Sequence, residues 1–327
     1  MKKSNSLKLL LATVLPGVAA FGVIPVTENF SIRGHIDGAY TSTDDGGTDM
    51  EDFELKQADF DLLISTDKIK SEVHVASAGG GTAVEQAFLT LDLGGGLSVT
   101  GGKFLSALGF EGDEQYMLYQ QSLAYNFGSS AAGDSNYQGL GQNAQQGARA
   151  TYDMDNLSAS LAIVDQAFSS SGTAGDADDF GFEASLSYNA MEGLTVAVGT
   201  AQDDEGAAMG VDNLYNIWAQ YEGIDNLILA AEYNNYENYE EDAYSWLIMG
   251  NYSFGNSLAA TLRYSQAEED MNSAGANYKA EKFTLSPSYQ FTENLLGVIE
   301  YSTGEYEVAG GAGVDVDFFA VEALFTF

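Results

Sequence analysis

Apolar and polar residues alternate with a period of two along most of this chain. The pattern is plainest in "FFAVEALFTF", Phe318 to Phe327. Phe319, Val321, Ala323, Phe325 and Phe327 form one apolar set; the other mixes Thr326, Glu322 and Ala320 with Leu324 and Phe318. Side chains two apart share a face in a β-strand. "LSASLAI" from Leu157, "LTVAVGT" from Leu194 and "YSWLIMGNYSF" from Tyr244 alternate in the same way. The last strand runs to Phe327, whose ring is therefore expected at an apolar boundary.

A turn phrase recurs between strands: "TDKIKS" at Thr66, "GGGLSV" at Gly94, "MDNLSA" at Met154, "MEGLTV" at Met191, "IDNLIL" at Ile224, "FGNSLAA" at Phe254 and "TENLLG" at Thr292. Its Gly, Asn and Asp residues suit the positive φ of tight hairpins. Longer polar connections alternate with these turns: Ser42–Asp52, Ala174–Asp179, Asp203–Gly210, Tyr236–Asp242 and Glu268–Asn277. Short turns at one end and long loops at the other predict an all-β fold, a transmembrane antiparallel up-and-down barrel. Seven short turns join seven strand pairs. With both termini at that end, one more strand pair completes sixteen; fourteen or eighteen are the neighbouring solutions. A sheet edge in hydrocarbon would leave backbone groups unpaired. The last strand should therefore close against the first, near Asn29–Tyr40.

Composition narrows the function. The formal charge is −36, with 48 acidic against 12 basic residues, which excludes nucleic acid as a partner. Cysteine is absent, so no disulfide or thiolate site exists. An aromatic content of 12% and a hydrophobic content of 45% exclude a disordered chain. The start, with Lys2, Lys3 and Lys8, then an apolar run and Val18-Ala19-Ala20, reads as a signal peptide over 1–20. Residues 21–327 then form a single barrel domain, placed in a bacterial outer membrane.

One connection is out of scale. No short turn appears between Leu105 and Asp153, which leaves Ser106–Gly141 as the third long connection. A segment of this length is usually functional. Folded inward, it would bring Glu111, Asp113, Glu114 and Asp134 to a pore constriction. The alternatives are an extra hairpin standing above the membrane or one more strand pair.

The stretch "QAFLTLDLGGGLSVTGGKFLSALGFE", Gln86 to Glu111, resembles the OmpL-like family of β-barrel porins. The resemblance rests on Gly102, Lys103, Phe104, Gly109, Phe110 and Glu111. It implies a Gram-negative outer-membrane porin. A closing strand ending in Phe also resembles the assembly signal of such barrels, which gives Phe327 that role and the barrel assembly machinery as a partner.

Parity supplies the pore wall. Arg33, Asp37, Asp59, Asp61, Glu72, Asp92, Arg149 and Arg263 are expected to face water, because an Arg on the lipid face costs about 2–4 kcal/mol near the midplane. The expected function is passive diffusion of small hydrophilic solutes and ions, weakly cation-selective. A surface barrel of structural or adhesive type with a plugged lumen is the alternative. A third reading, a secreted soluble β-protein, would not need detergent. Only His35 and His74 are present, without a nucleophile motif, so no enzyme is expected. No cofactor or metal motif is found either. Outer-membrane lipid and lipopolysaccharide are the expected surroundings, and a homotrimer is left open.

Overall fold

The computed structural model describes residues 22–47, 49–78, 81–112, 115–127, 144–168, 180–203, 213–237, 241–271, 278–308 and 311–327. A two-residue bridge, β1 (Ile24–Pro25), precedes the barrel and pairs with β2 (Phe30–Asp44). The next strands are β3 (Asp49–Ser65), β4 (Ile69–Ala78), β5 (Gly81–Gly94) and β6 (Leu97–Leu105). After the long connection come β7 (Ala144–Met154), β8 (Leu157–Val164), β9 (Gly181–Met191) and β10 (Leu194–Gln202). Then follow β11 (Asn213–Ile224), β12 (Leu227–Glu237), β13 (Glu241–Gly255) and β14 (Leu258–Met271). The last are β15 (Tyr278–Thr292), β16 (Leu295–Val308) and β17 (Val314–Thr326).

From β2 to β17 each strand pairs antiparallel with its sequence neighbours, and β17 pairs with β2, so sixteen strands close a barrel. Closure continues past the strand end. Phe327 N donates to Gly34 O at 2.9 Å, and Gly34 N donates to Phe327 O at 2.8 Å. A Cβ at Gly34 would lie 2.4 Å from Asp59 O and 2.7 Å from the Phe327 ring, so only glycine admits this seam. All seven short turns connect strand pairs as expected. Asn256 and Ser257 both have positive φ, 50° and 70°, the geometry of a tight two-residue hairpin.

The other end differs from expectation. β2 and β3 run through most of Ser42–Asp52, and the strands flanking Tyr236–Asp242 and Glu268–Asn277 also extend into those acidic stretches. Above the lipid both faces of a strand meet water, so alternating acids no longer stop the ladder.

The outward face is apolar. Leu229, Ile248, Leu262, Leu285, Ile299 and Val321 are exposed at mid-strand. Exposed aromatics flank this band. Tyr188, Tyr252, Phe254, Tyr289, Phe291 and Phe325 lie toward the short turns, and Phe53, Tyr215, Tyr233, Tyr301 and Phe319 toward the other end. Such girdles mark the two membrane–water boundaries. No described helix is long and apolar enough to cross a membrane. The lumen side carries buried polar residues, among them Asn234, Ser245, Thr261, Arg263 and Thr284.

Candidate functional site: the latched third loop and the lumen wall

The third long connection leaves β6 at Leu105 and crosses the lumen. Ser106 Oγ donates to Glu183 on β9, and Ala107 N donates to Glu183 Oε1 at 2.9 Å. Gly109 N reaches Asn216 Oδ1 on β11 at 3.3 Å, and Phe110 N reaches Glu232 Oε1 on β12 at 2.7 Å. Farther on, Thr261 and Ser265 of β14 donate to the carbonyls of Tyr119 and Ala124 at 2.9 and 2.5 Å. Ser122 N donates to Glu300 Oε2 on β16 at 2.9 Å. Lys282 Nζ of β15 donates to Leu123 O at 2.6 Å and to Asn126 O. The loop thus follows the β9–β16 wall, with backbone groups satisfied by wall side chains.

Apolar contacts fill the gaps between these bonds. Tyr119, Ala124, Tyr125 and Phe127 bury against Ile228, Leu247, Met249 and Ala280. Leu108 joins Phe104, Val164 and Leu214. A Cβ at Gly199 would meet Leu108 Cδ2 at 2.0 Å, so the wall is cut away there for this side chain. Tyr116 packs on Leu296, Val298 and Leu324, and its ring meets His35 edge-on at 5.4 Å. This contact explains the apolar Leu324 on the mixed face of the last strand.

Glu111 is not a free pore charge. Its Oε1 accepts from Arg263 at 2.6 Å and from Gln120 Nε2 at 2.8 Å; its Oε2 accepts from Ala124 N at 2.7 Å. The acid pins the loop to itself and to β14. Asp113, Glu114 and Asp134 lie outside the described residues, as does the expected signal peptide.

Two of the three wall arginines expected to face water also serve the loop. The Arg263 side chain is fully buried on Glu111. Arg149 sits 4.4 Å over the Phe104 ring and donates to Leu105 O at the loop's root. Asp92 is exposed at a hairpin, where Oδ1 accepts from Gly94 N at 2.7 Å; it stabilises a turn.

The remaining wall residues gather on β2–β4. Arg33 Nε bonds Asp61 Oδ2 at 2.5 Å, and its Nη2 bonds Glu72 Oε2 at 3.2 Å. Glu72 also meets His74 Nε2 at 3.0 Å. Asp37 and Asp59 are buried on the same inward face. Two lumen groups escaped simple parity. The β2–β3 register shifts between Asp37 and Gly38, whose partners are Gln57 and Leu55, leaving Lys56 unpaired. The β4–β5 register shifts after His74, leaving Glu85 unpaired between Gln86 and Val84. A bulge of this kind re-aims a side chain. Lys56 lies 2.7 Å from Glu54 and lines a cavity of about 540 Å³ between the loop and the β2, β3 and β15–β17 wall.

The model of the family described as putative beta-barrel porin-2, OmpL-like, matches residues 46–327. The chain belongs to this porin family. Its place is the bacterial outer membrane. Solved structures share the fold at low identity. The outer membrane channel DcaP of Acinetobacter baumannii has a TM-score of 0.69 at 13% identity, covering 91% of this chain and 97% of that one. Salmonella typhi OmpF, in complex with daunomycin, has a TM-score of 0.68 at 13% identity, covering 94% and 100%. An anion-selective porin from Comamonas acidovorans also has a TM-score of 0.68, at 12% identity, covering 91% and 99%. No curated protein matches the chain by sequence.

Proposed function

We propose that this porin is a passive diffusion channel for small hydrophilic solutes and ions, with a weak preference for cations, and not an enzyme. The carrying observation is the path of the third loop. It is fastened to β9–β16, its Tyr116 reaches β16, β17 and His35 of β2, and a cavity of about 540 Å³ remains beside it against β2, β3 and β15–β17. Solutes would pass this narrowing by size and charge. Asp37, Asp52 and Glu54 line that cavity against Lys56 and Lys282. Lys282 is engaged by loop carbonyls and Lys56 by Glu54, which leaves an acidic excess. The Comamonas protein is anion-selective on the same fold, so charge placement has to decide the sign.

This reading takes outer-membrane lipid and lipopolysaccharide as surroundings and the barrel assembly machinery as the route of insertion, with Phe327 in its recognition. A homotrimer fits it.

Planar-bilayer recording tests the proposal. The protein should give discrete conductance steps, and replacing Glu111–Phe127 by a short Gly-Ser linker should raise them several-fold while the barrel still shows heat-modifiable migration. Steps unchanged by the deletion would remove the loop from the narrowing. No steps from the intact protein, but steps after the deletion, would support the plugged surface barrel instead.

A further inference from the structure

We propose that the lumen wall holds a divalent transition-metal site formed by Asp59, His74 and Glu85. One carboxylate oxygen from each acid and one ring nitrogen of His74 lie within 4.8 Å of one another. The three residues come from adjacent strands, β3, β4 and β5. Their sequence spacing resembles no metal motif, because two hairpins bring them together. A tetrahedral ion with bonds of about 2.0–2.2 Å requires ligand atoms roughly 3.4 Å apart. Movements of an ångström or so at the side-chain tips would close the set.

Three observations point to a cation here. Glu85 is the extra residue of the β4–β5 bulge, so a local break in the ladder delivers it to this position. Its Oε2 is buried with no hydrogen-bond partner. Asp61, only 3% exposed, aims Oδ1 at His74 Nδ1 from 3.4 Å, and that oxygen has no hydrogen-bond partner either. Glu72 Oε2, 3.0 Å from His74 Nε2, can accept its proton; Nδ1 then faces Gln86 Nε2 at 3.1 Å, an amide donor that a metal would displace. A carboxylate behind a ligating imidazole fixes the tautomer and raises its basicity. Without a metal the ring is either neutral, accepting from Gln86 at Nδ1 and donating to Glu72 from Nε2, or an imidazolium shared by Asp61 and Glu72.

One imidazole with two carboxylates favours zinc over manganese, and both over magnesium or calcium. The site lies on the wall beside Arg33, so a bound ion would add positive charge to the lumen. That effect on conduction rests on the channel reading; binding itself does not.

The test is therefore calorimetry on the detergent-solubilised barrel with zinc alone. One saturable site is expected, stronger than for manganese and absent for magnesium. Glu85→Gln keeps the shape and should weaken zinc by about tenfold or more, by loss of a ligand. His74→Gln should abolish binding, and His35→Gln should leave it. If His74→Gln does not fold, Glu85→Gln still decides. The proposal is overturned by no saturable binding, by equal affinity in Glu85→Gln, or by loss in His35→Gln.

Discussion

Lys282 and Lys56 line the same cavity from different parts of the barrel wall, and their environments differ. Lys282 is 6% exposed. Its ammonium donates to Ser122 Oγ at 3.2 Å, to Leu123 O at 2.6 Å and to Asn126 O. Lys56 has a side chain 32% exposed and pairs with the equally open Glu54. The acids divide in the same way. Glu183, Glu232 and Glu300 accept from loop backbone, whereas Asp61 and Glu72 pair with Arg33 on their own wall. Charge inside a barrel therefore does two jobs. Where the loop lies on the wall, charge replaces the water its backbone has lost. Elsewhere it stays available to set the field that a passing ion meets.

The contrast can be broken most severely at Arg263. Its side chain is fully buried, and Glu111 depends on it for one of three bonds. Removing one partner of a buried pair costs about 3–5 kcal/mol. Arg263→Ala should lower the urea midpoint of the protein in lipid vesicles and raise its conductance as the loop loosens. An unchanged midpoint would mean that the loop is held by its other contacts alone. Lys282→Met should act in the same direction with a smaller effect. Hydrogen bonds from a charged donor contribute about 1.5–3 kcal/mol net. Open-channel noise should rise, because Leu123 and Asn126 lose the donor that fixes their carbonyls. Quiet channels with wild-type conductance would contradict a latching role for Lys282.

How much of this was legible in the sequence follows from the range of each interaction. The turns are local, and residues such as Asn256 report their own backbone geometry. All seven, and with them the sixteen strands, could be read from the chain. The loop's path could not, because Phe110 N meets Glu232 more than a hundred positions away and neither residue carries a mark of the other. For the same reason Glu111, Arg149 and Arg263 looked like pore charges when two of them bond the loop directly and the third holds its root. The bulges lie between. Outward apolar residues on β3 run Phe53, Leu55, then Ala58, Phe60, Leu62. On β5 they run Val84, then Ala87, Leu89, Leu91. The single step of three in each run marks the slip that turns Lys56 and Glu85 inward, and period counting can detect it.

The smallest effect, and the one that sharpens the contrast, belongs to Lys56. An ion pair as open as Lys56–Glu54 contributes only about 0–1 kcal/mol, so Lys56→Met should leave the urea midpoint where it was. Its charge still acts on mobile ions within a Debye length of about 8–10 Å at physiological salt. Losing it leaves Glu54 uncompensated beside Asp52 and Asp37 in the cavity lining. Reversal potentials in a salt gradient should then move a few millivolts toward the cation, and Glu54→Gln should move them back toward the anion. Both shifts should shrink in molar salt, where screening shortens to about 3 Å. A change in stability without a change in selectivity would make Lys56 a second latch. Shifts of the expected sign at a constant midpoint would assign this wall the field and leave the loop its shape.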